Sequence, residues 1–359
     1  MNLNFWQTLP KPIIGLAPMD GITDTVFRTI VKKYGNPDIM YTEFSSVEGI
    51  CHGATALLRD FLYEKSQRPI IAQIFGKTPQ SFYQTAILLC ELGFDGIDLN
   101  MGCSAKNVAN SGSGAALIET PKLAQKIVNA TKKGVEDWIN GKNLNDCVDI
   151  TDKIRDEIKN RKSKLPAKYK DKREIPVSVK TRIGVDEIVT TDWINTLLET
   201  KPAAIAVHGR TLKQAYTGKA NWEEIAKAAE LAKNSETIIL GNGDVKSRQD
   251  AEDKAKQFGV DGVLIGRAVF GNPFVFQKKA DNGPSADNKK SKIFQIALEH
   301  AKLFEQTYQN NQKYTFLPMR KHLAWYVKGI EGAAKIRSEL VRTNSSEEVE
   351  VIFKNYGLM

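Results

Sequence analysis

The residue types best suited to chemistry fall in Asp98-Leu99-Asn100-Met101-Gly102-Cys103. The apolar run from Phe94 to Leu99 reads as a strand, and the cysteine stands just past its end, where a rigid scaffold displays functional side chains. Asn110-Ser111-Gly112-Ser113-Gly114-Ala115-Ala116 follows, a small-residue loop that lets backbone approach a ligand closely. A free cysteine is by default a buried, inert packing residue. Cys103 departs from that default because of the other segments in the chain. Gly241-Asn242-Gly243-Asp244 precedes a helix opening at Ser247, and Gly266-Arg267-Ala268 follows the last apolar run. Glycine amides and a helix N-terminus cradle phosphate oxygens, and Arg267 could add a bidentate contact. These segments point to a phosphorylated ligand without naming it.

Eight strand-like apolar runs must position these residues: 13–19, 38–44, 69–76, 96–102, 176–184, 204–210, 237–244 and 262–268. Several are near-continuous and aliphatic, as in parallel strands buried on both faces. Helix-like stretches separate them. Thr78-Pro79-Gln80-Ser81 opens one that closes at Gly93, and Ser247 opens another that closes at Gly259. Strand and helix alternating in this way predict an α/β fold, a (β/α)8 TIM barrel. A doubly wound open sheet would carry a Gly-x-Gly-x-x-Gly fingerprint after its first strand, which Ala17-Pro18-Met19-Asp20-Gly21 does not match. In such a barrel the site lies at the C-terminal strand ends. Those ends carry Met19, Glu43, Gln73, Asn100 with Cys103, Lys180 with Arg182, His208 with Arg210, Asn242 with Asp244, and Gly266 with Arg267.

At 359 residues, with 42% hydrophobic and 26% charged, the chain has an ordinary soluble composition. No apolar run approaches the roughly 20 residues that span a bilayer, and Met1 to Lys11 has no secretory pattern. Cys51, Cys90, Cys103 and Cys147 form no Cys-x-x-Cys pair, so they read as free thiols in a reducing cytoplasm, with no metal site. The net charge of +9 is concentrated: residues 159–173 hold eight Lys/Arg against one acid, and 289–359 hold twelve against seven. A basic surface favours polyanions.

Two stretches fall outside the barrel pattern. The fourth helix reads as Leu123 to Lys133, after which residues 134–174 exceed any ordinary barrel connection. This insertion, with a helix expected over Asp149 to Arg161, reads as a second helical layer, a mobile basic arm or an RNA contact. Later, the polar stretch 281–288 marks a boundary, followed by helices expected at 292–309, 317–327, 331–341 and 347–356. The expected organisation is a barrel over 1–280 and a helical domain over 289–359.

Taken in order, the motifs resemble the tRNA-dihydrouridine synthases: Ala17-Pro18-Met19, Gln73, Asn100-Met101-Gly102-Cys103, Lys180-Thr181-Arg182, Val207-His208-Gly209-Arg210-Thr211, Gly241-Asn242-Gly243-Asp244, Ile265-Gly266-Arg267, and Met319-Arg320-Lys321-His322-Leu323-Ala324-Trp325-Tyr326 in the helical part. One departure is Ser104, where the family usually has proline. The resemblance implies a flavin enzyme that uses NADPH (or NADH) to reduce selected uridines in tRNA. It implies that Ala17, Pro18, Met19, Gln73, Lys180, His208, Asn242, Gly243, Asp244, Gly266 and Arg267 hold FMN and that Cys103 is the proton donor. The residue chemistry agrees. Ala17 to Met19 offer an apolar seat for a flat ring, Gln73 an amide for its pyrimidine edge, and Lys180 a cation for the charge of the reduced ring. A thiol with an ordinary pKa near 8.5 is still protonated at neutral pH and can donate. Asn100, Arg182 and Arg210 are candidates for the uracil edge or nearby phosphates, and Arg320 and Lys321 for tRNA backbone. The expected protein is a cytoplasmic monomer. The alternatives are an FMN-dependent oxidoreductase of free pyrimidines, like the dihydroorotate dehydrogenases, and a non-catalytic tRNA-binding barrel.

Overall fold

The computed structural model describes residues 4–105, 108, 111–278, 286–310 and 314–359, with backbone alone at 286–291. Asn110 of the small-residue loop and residues 281–285 of the expected linker lie outside the described residues.

Eight parallel strands close into a barrel in sequence order: β1 (Ile13–Leu16), β2 (Ile39–Ser46), β3 (Ile70–Phe75), β4 (Gly96–Met101), β5 (Val177–Arg182), β6 (Ala204–His208), β7 (Ile238–Asn242) and β8 (Gly262–Ile265), with β1 pairing β8. The TIM-barrel reading is therefore the observed fold. Alternate strand residues such as Ile13, Ile39, Tyr41, Ile71, Leu240 and Leu264 fill the interior, and Trp6 of the short helix Phe5–Thr8 joins that cluster. The other face of each strand packs on the surrounding helices in one continuous core. Period-2 alternation in a closed parallel sheet buries both faces, which is why the runs read as unbroken apolar stretches.

The helix after β4 spans Pro121–Ile139, six residues past the expected end at Lys133. Gly134 does not stop it. A Cβ at that position would stand 2.4 Å from the Tyr83 carbonyl and 3.0 Å from the Ala86 Cβ. The glycine is there to let this helix approach the helix Pro79–Glu91, with which it packs extensively.

The rest of the insertion is a packed helical layer. Leu144, Cys147, Ile150, Ile154 and Ile158 are buried in the barrel's outer core, the last two on the helix Asp152–Ser163. Many of its cations are engaged internally. Arg161 Nη1 donates to the Leu58 carbonyl at 2.6 Å, Lys162 pairs with Glu91, Lys172 lies 4.1 Å from the Trp138 ring centre, and Arg173 Nη2 donates to the Phe94 carbonyl at 2.9 Å. Phe94 precedes β4, so Arg173 closes on the end of the barrel opposite to Cys103.

The C-terminal region is helical: Ala286–Tyr308, Leu317–Tyr326, Ala333–Leu340 and Ser346–Asn355. The first helix begins earlier than the expected 292 because its opening turn is polar and lies outside the apolar stripe. These helices share a core with Val26 and Ile30 of the barrel helix Thr25–Tyr34. Phe270, after β8, stacks on Trp325 with ring centres 4.0 Å apart. No helix among the described residues is long and apolar enough to cross a membrane.

Candidate active site

Strand register brings the predicted residues to one end of the barrel. Gln73 is opposite Asp98, Asn100 opposite Lys180, Arg182 opposite His208, and His208 opposite Asn242. Each pair sits on neighbouring strands about 4.8 Å apart, so the set forms a ring around the mouth.

Cys103 is half-buried at the β4 end of this ring. Its amide and that of Gly102 both donate to Asn100 Oδ1, at 2.9 and 3.1 Å. The Asn100 side chain therefore folds the turn back on the strand end and presents the thiol, whose Sγ accepts from the Ala105 amide at 3.4 Å. Gly114 of the small-residue loop lies against the Cys103 side chain. Burial pushes the thiol pKa above its ordinary value, with the Asp20 charge adding to the rise and the Ala105 amide, Arg182 and Lys180 opposing it. The group is a protonated thiol at neutral pH.

Lys180 points inward from β5, as Ser178 does two residues earlier. Among the described residues it makes no hydrogen bond and no ion pair. Burial and the Arg182 charge bring its pKa down to about 8, against the pull of Asp98. Gln73 is buried and donates from Nε2 to Asp98 Oδ2 at 2.7 Å. At β1, Ala17 is buried while Pro18 and Met19 are half-buried. Gly266 faces them across the β1–β8 seam: a Cβ there would meet Met19 Sδ at 3.7 Å and Ala17 Cβ at 3.8 Å, so this corner is apolar and roomy.

The ends of β6 to β8 form a cationic corner. His208 is kept neutral, its pKa pushed down to about 2 by burial and by Lys180, Arg182, Arg210 and Arg267; its Nδ1 is buried without a partner among the described residues. Gly243 takes φ +125, and Asp244 follows at φ +52. Asp244 is held by Arg210, at 2.7 and 2.9 Å, and by Arg267 at 3.0 Å. Although burial opposes it, the Ala220 amide and the two arginines hold its carboxyl below the usual range. Asn242 Nδ2 donates to the Leu264 carbonyl at 2.8 Å, so its side chain ties β7 to β8.

The arginines expected near substrate are deeply embedded. Arg182 donates from Nε to the Gly102 carbonyl at 2.7 Å and from Nη1 to the Thr211 carbonyl at 3.1 Å. Arg210 is 2% exposed and binds the carbonyls of Thr217 and Gly218, but its Nη1 is buried with no partner among the described residues. Farther out, Arg320 donates to the Thr343 carbonyl at 2.8 Å and to Asn344 Oδ1 at 2.7 Å within the helical region. Lys321 instead reaches the barrel, donating to the Gly21 carbonyl in the loop after β1.

Two acids, Asp98 and Glu43, stood in the sequence reading with no role assigned to them. Asp98 lies in the motif but on an apolar-looking strand, and only its alternation with Asn100 signals that it faces inward. Glu43 is buried at β2, where burial and the charges of Asp24 and Asp60 raise its pKa to about 8.

The sequence model of the family Dihydrouridine synthase (Dus) matches residues 15–165 and 155–355. A probable tRNA-dihydrouridine synthase of Staphylococcus aureus (strain COL) is 33% identical over 99% of this chain and 96% of its own length. Probable tRNA-dihydrouridine synthase 2 of Bacillus subtilis (strain 168) is 31% identical over 99% of this chain and 97% of its own. Among solved structures, DHODH from Eimeria tenella in complex with ferulenol covers 74% of this chain and 78% of its own at TM-score 0.48 and 12% identity. The family match over nearly the whole barrel and helical region, with relatives above 30% identity end to end, places the chain among the tRNA-dihydrouridine synthases, in the dihydrouridine synthase family.

Proposed function

We propose that the protein reduces the C5–C6 bond of uridine in tRNA, with Cys103 as the proton donor and a flavin held in the barrel mouth. The observation that carries this reading is the pairing of two strand ends. Asn100, whose side chain holds the Cys103 amide, is the register neighbour of Lys180, a cation with no partner among the described residues.

The residues present suit FMN. The open apolar corner at Ala17, Met19 and Gly266 suits a flat ring. Gln73 offers an amide to a pyrimidine edge. The orphaned Nδ1 of His208 and Nη1 of Arg210, beside Gly243, suit a phosphate or ribityl oxygen. FMN bound there would supply the hydride that C6 receives, with NADPH or NADH as the reductant. Lys180 would set a positive charge beside the bound ring. Cys103 Sγ gives its proton to C5; a thiol raised in pKa keeps that proton until substrate arrives, whereas a thiolate has none to give.

The target base must leave its stack to reach the mouth, and Lys321, at the seam between barrel and helices, is the candidate contact for RNA backbone. The test is dihydrouridine formation in unmodified tRNA with purified protein, FMN and NADPH, read by nucleoside mass spectrometry. Product from wild type but not from Cys103→Ala is expected. Product from both at similar rates would overturn the role of Cys103. Turnover of free uracil or dihydroorotate alone would overturn the substrate.

A further inference from the structure

The hydrogen bonds that reach Cys103 begin at a buried carboxylate with no part in the chemistry described so far. Asp98 accepts from Ser178 Oγ at 2.6 Å and from Gln73 Nε2 at 2.7 Å. Gln73 Oε1 accepts from Asn100 Nδ2 at 3.1 Å. Asn100 Oδ1 then accepts from the two turn amides of Gly102 and Cys103.

An amide side chain can be turned end for end at little steric cost, because its oxygen and nitrogen are similar in size. An ionised carboxylate cannot, because it only accepts. Asp98 thus decides which end of Gln73 faces it. That choice leaves the Gln73 oxygen towards Asn100 and draws the Asn100 nitrogen inward. Only then does the Asn100 oxygen face the turn, where two N–H groups need an acceptor. Reversing any link would set donor against donor. The links from Asp98 through Gln73 to Asn100 are buried, where an unmatched polar group is costly.

We propose that Asp98 is a positioning residue for Cys103, acting through Gln73 and Asn100 to fix the turn that carries the thiol. It rests on the reading of Cys103 as the proton donor, yet thiol placement is measurable without the reaction. The charge on Asp98 is not what the relay requires. An asparagine there can keep its oxygen on Gln73 and turn its nitrogen to Ser178 Oγ.

The test is the rate of Cys103 alkylation by iodoacetamide in flavin-free protein, located by peptide mass spectrometry; the other three cysteines are buried. Gln73→Glu sets a second carboxylate against Asp98 and breaks the relay, so the Cys103 rate should change about tenfold. Adding Asp98→Asn supplies a donor to that new carboxylate and should return the rate to within about twofold of wild type, as Asp98→Asn alone should keep it. An unchanged rate in Gln73→Glu, or a double variant that is not rescued, overturns the proposal. If Gln73→Glu fails to fold and the double variant folds, the polarity rule is supported, and folded Asp98→Leu then tests the link to the thiol: a wild-type rate there overturns it. Dihydrouridine formation is not the readout, so failure of the functional reading would leave these rates as they are.

Discussion

Arg182 clamps the turn that carries Cys103: its Nε donates to the Gly102 carbonyl at 2.7 Å, while its Nη1 reaches the carbonyls of Thr211 and Ala215 across the mouth at 3.1 and 3.4 Å. One planar guanidinium therefore holds the loops after β4 and β6 together. A lysine keeps the charge but cannot span three carbonyls in different directions. Arg182→Lys should lower the thermal midpoint by the equivalent of about 1–3 kcal/mol and slow tRNA reduction more than it weakens tRNA binding. Calorimetry with steady-state kinetics checks this.

Cys103→Ala removes the proposed proton donor and leaves the mouth otherwise intact. The variant should bind flavin and accept electrons from NADPH at a near-normal rate, yet form dihydrouridine about 10²- to 10⁴-fold more slowly. Anaerobic flavin bleaching and nucleoside mass spectrometry separate the two half-reactions.

Lys180 should set a pH limit below that of the thiol. Burial lowers its pKa to about 8, so its cation is present below that pH and is lost as pH rises through it. The Cys103 thiol is shifted the other way and keeps its proton above its ordinary range. The rate of flavin reduction by NADPH should fall above pH 8, and Lys180→Arg should move that limb upward. Stopped-flow bleaching across pH 6 to 10 checks it; a limb unmoved by Lys180→Arg would assign it elsewhere.

Gly243 has φ +125, and a Cβ there would stand 2.6 Å from the Ala220 Cβ. Gly243→Ala should cost about 1–3 kcal/mol of stability through backbone strain and lower the fraction of protein that retains flavin through desalting. The 450 nm absorbance per chain reads the second effect.

Two imidazoles lie buried where the helical region meets the barrel. His300 and His322 stand with ring centres 4.9 Å apart, His322 against Phe27 and His300 donating to or accepting from Tyr326. Burial drives the pKa of His300 down to about 3 and that of His322 well below its ordinary 6.5. A His depressed in the folded state stabilises it above the unfolded value and loses that contribution as pH falls. Stability should therefore drop between pH 6.5 and 3, by a few kcal/mol at most. His322→Leu, which replaces a ring whose Nδ1 has no partner among the described residues, should flatten that drop in urea titrations at pH 7 and pH 4.

The barrel was legible because several strands carry near-continuous apolar runs and helix-like stretches separate the runs. That pattern is local, so it survives without tertiary knowledge. Its boundaries were less legible where a residue has a packing role that mimics a punctuation role. Gly134 looks like a helix stop and is a helix–helix contact. Likewise the basic run 159–173 looks like a surface for polyanions, while several of its cations hold carbonyls and acids of the protein itself, a pairing no composition reveals.

By itself the sequence determined the order of the strands, the placement of Gln73, Asn100, Cys103, Lys180, His208 and Gly243 at their C-terminal ends, and the separate helical region, because periodicity and strand ends are properties of a few consecutive residues. Only the tertiary structure decided which of the polar residues there are free. Register across a closed sheet set Asp98 beside Gln73 and Asn100 beside Lys180, turned Arg182 and Arg210 inward to bind loop carbonyls, and left Lys180 without a partner among the described residues. Hydrogen-bond partners some 25 to 80 residues apart are fixed by barrel closure, and nothing in the spacing along the chain encodes them.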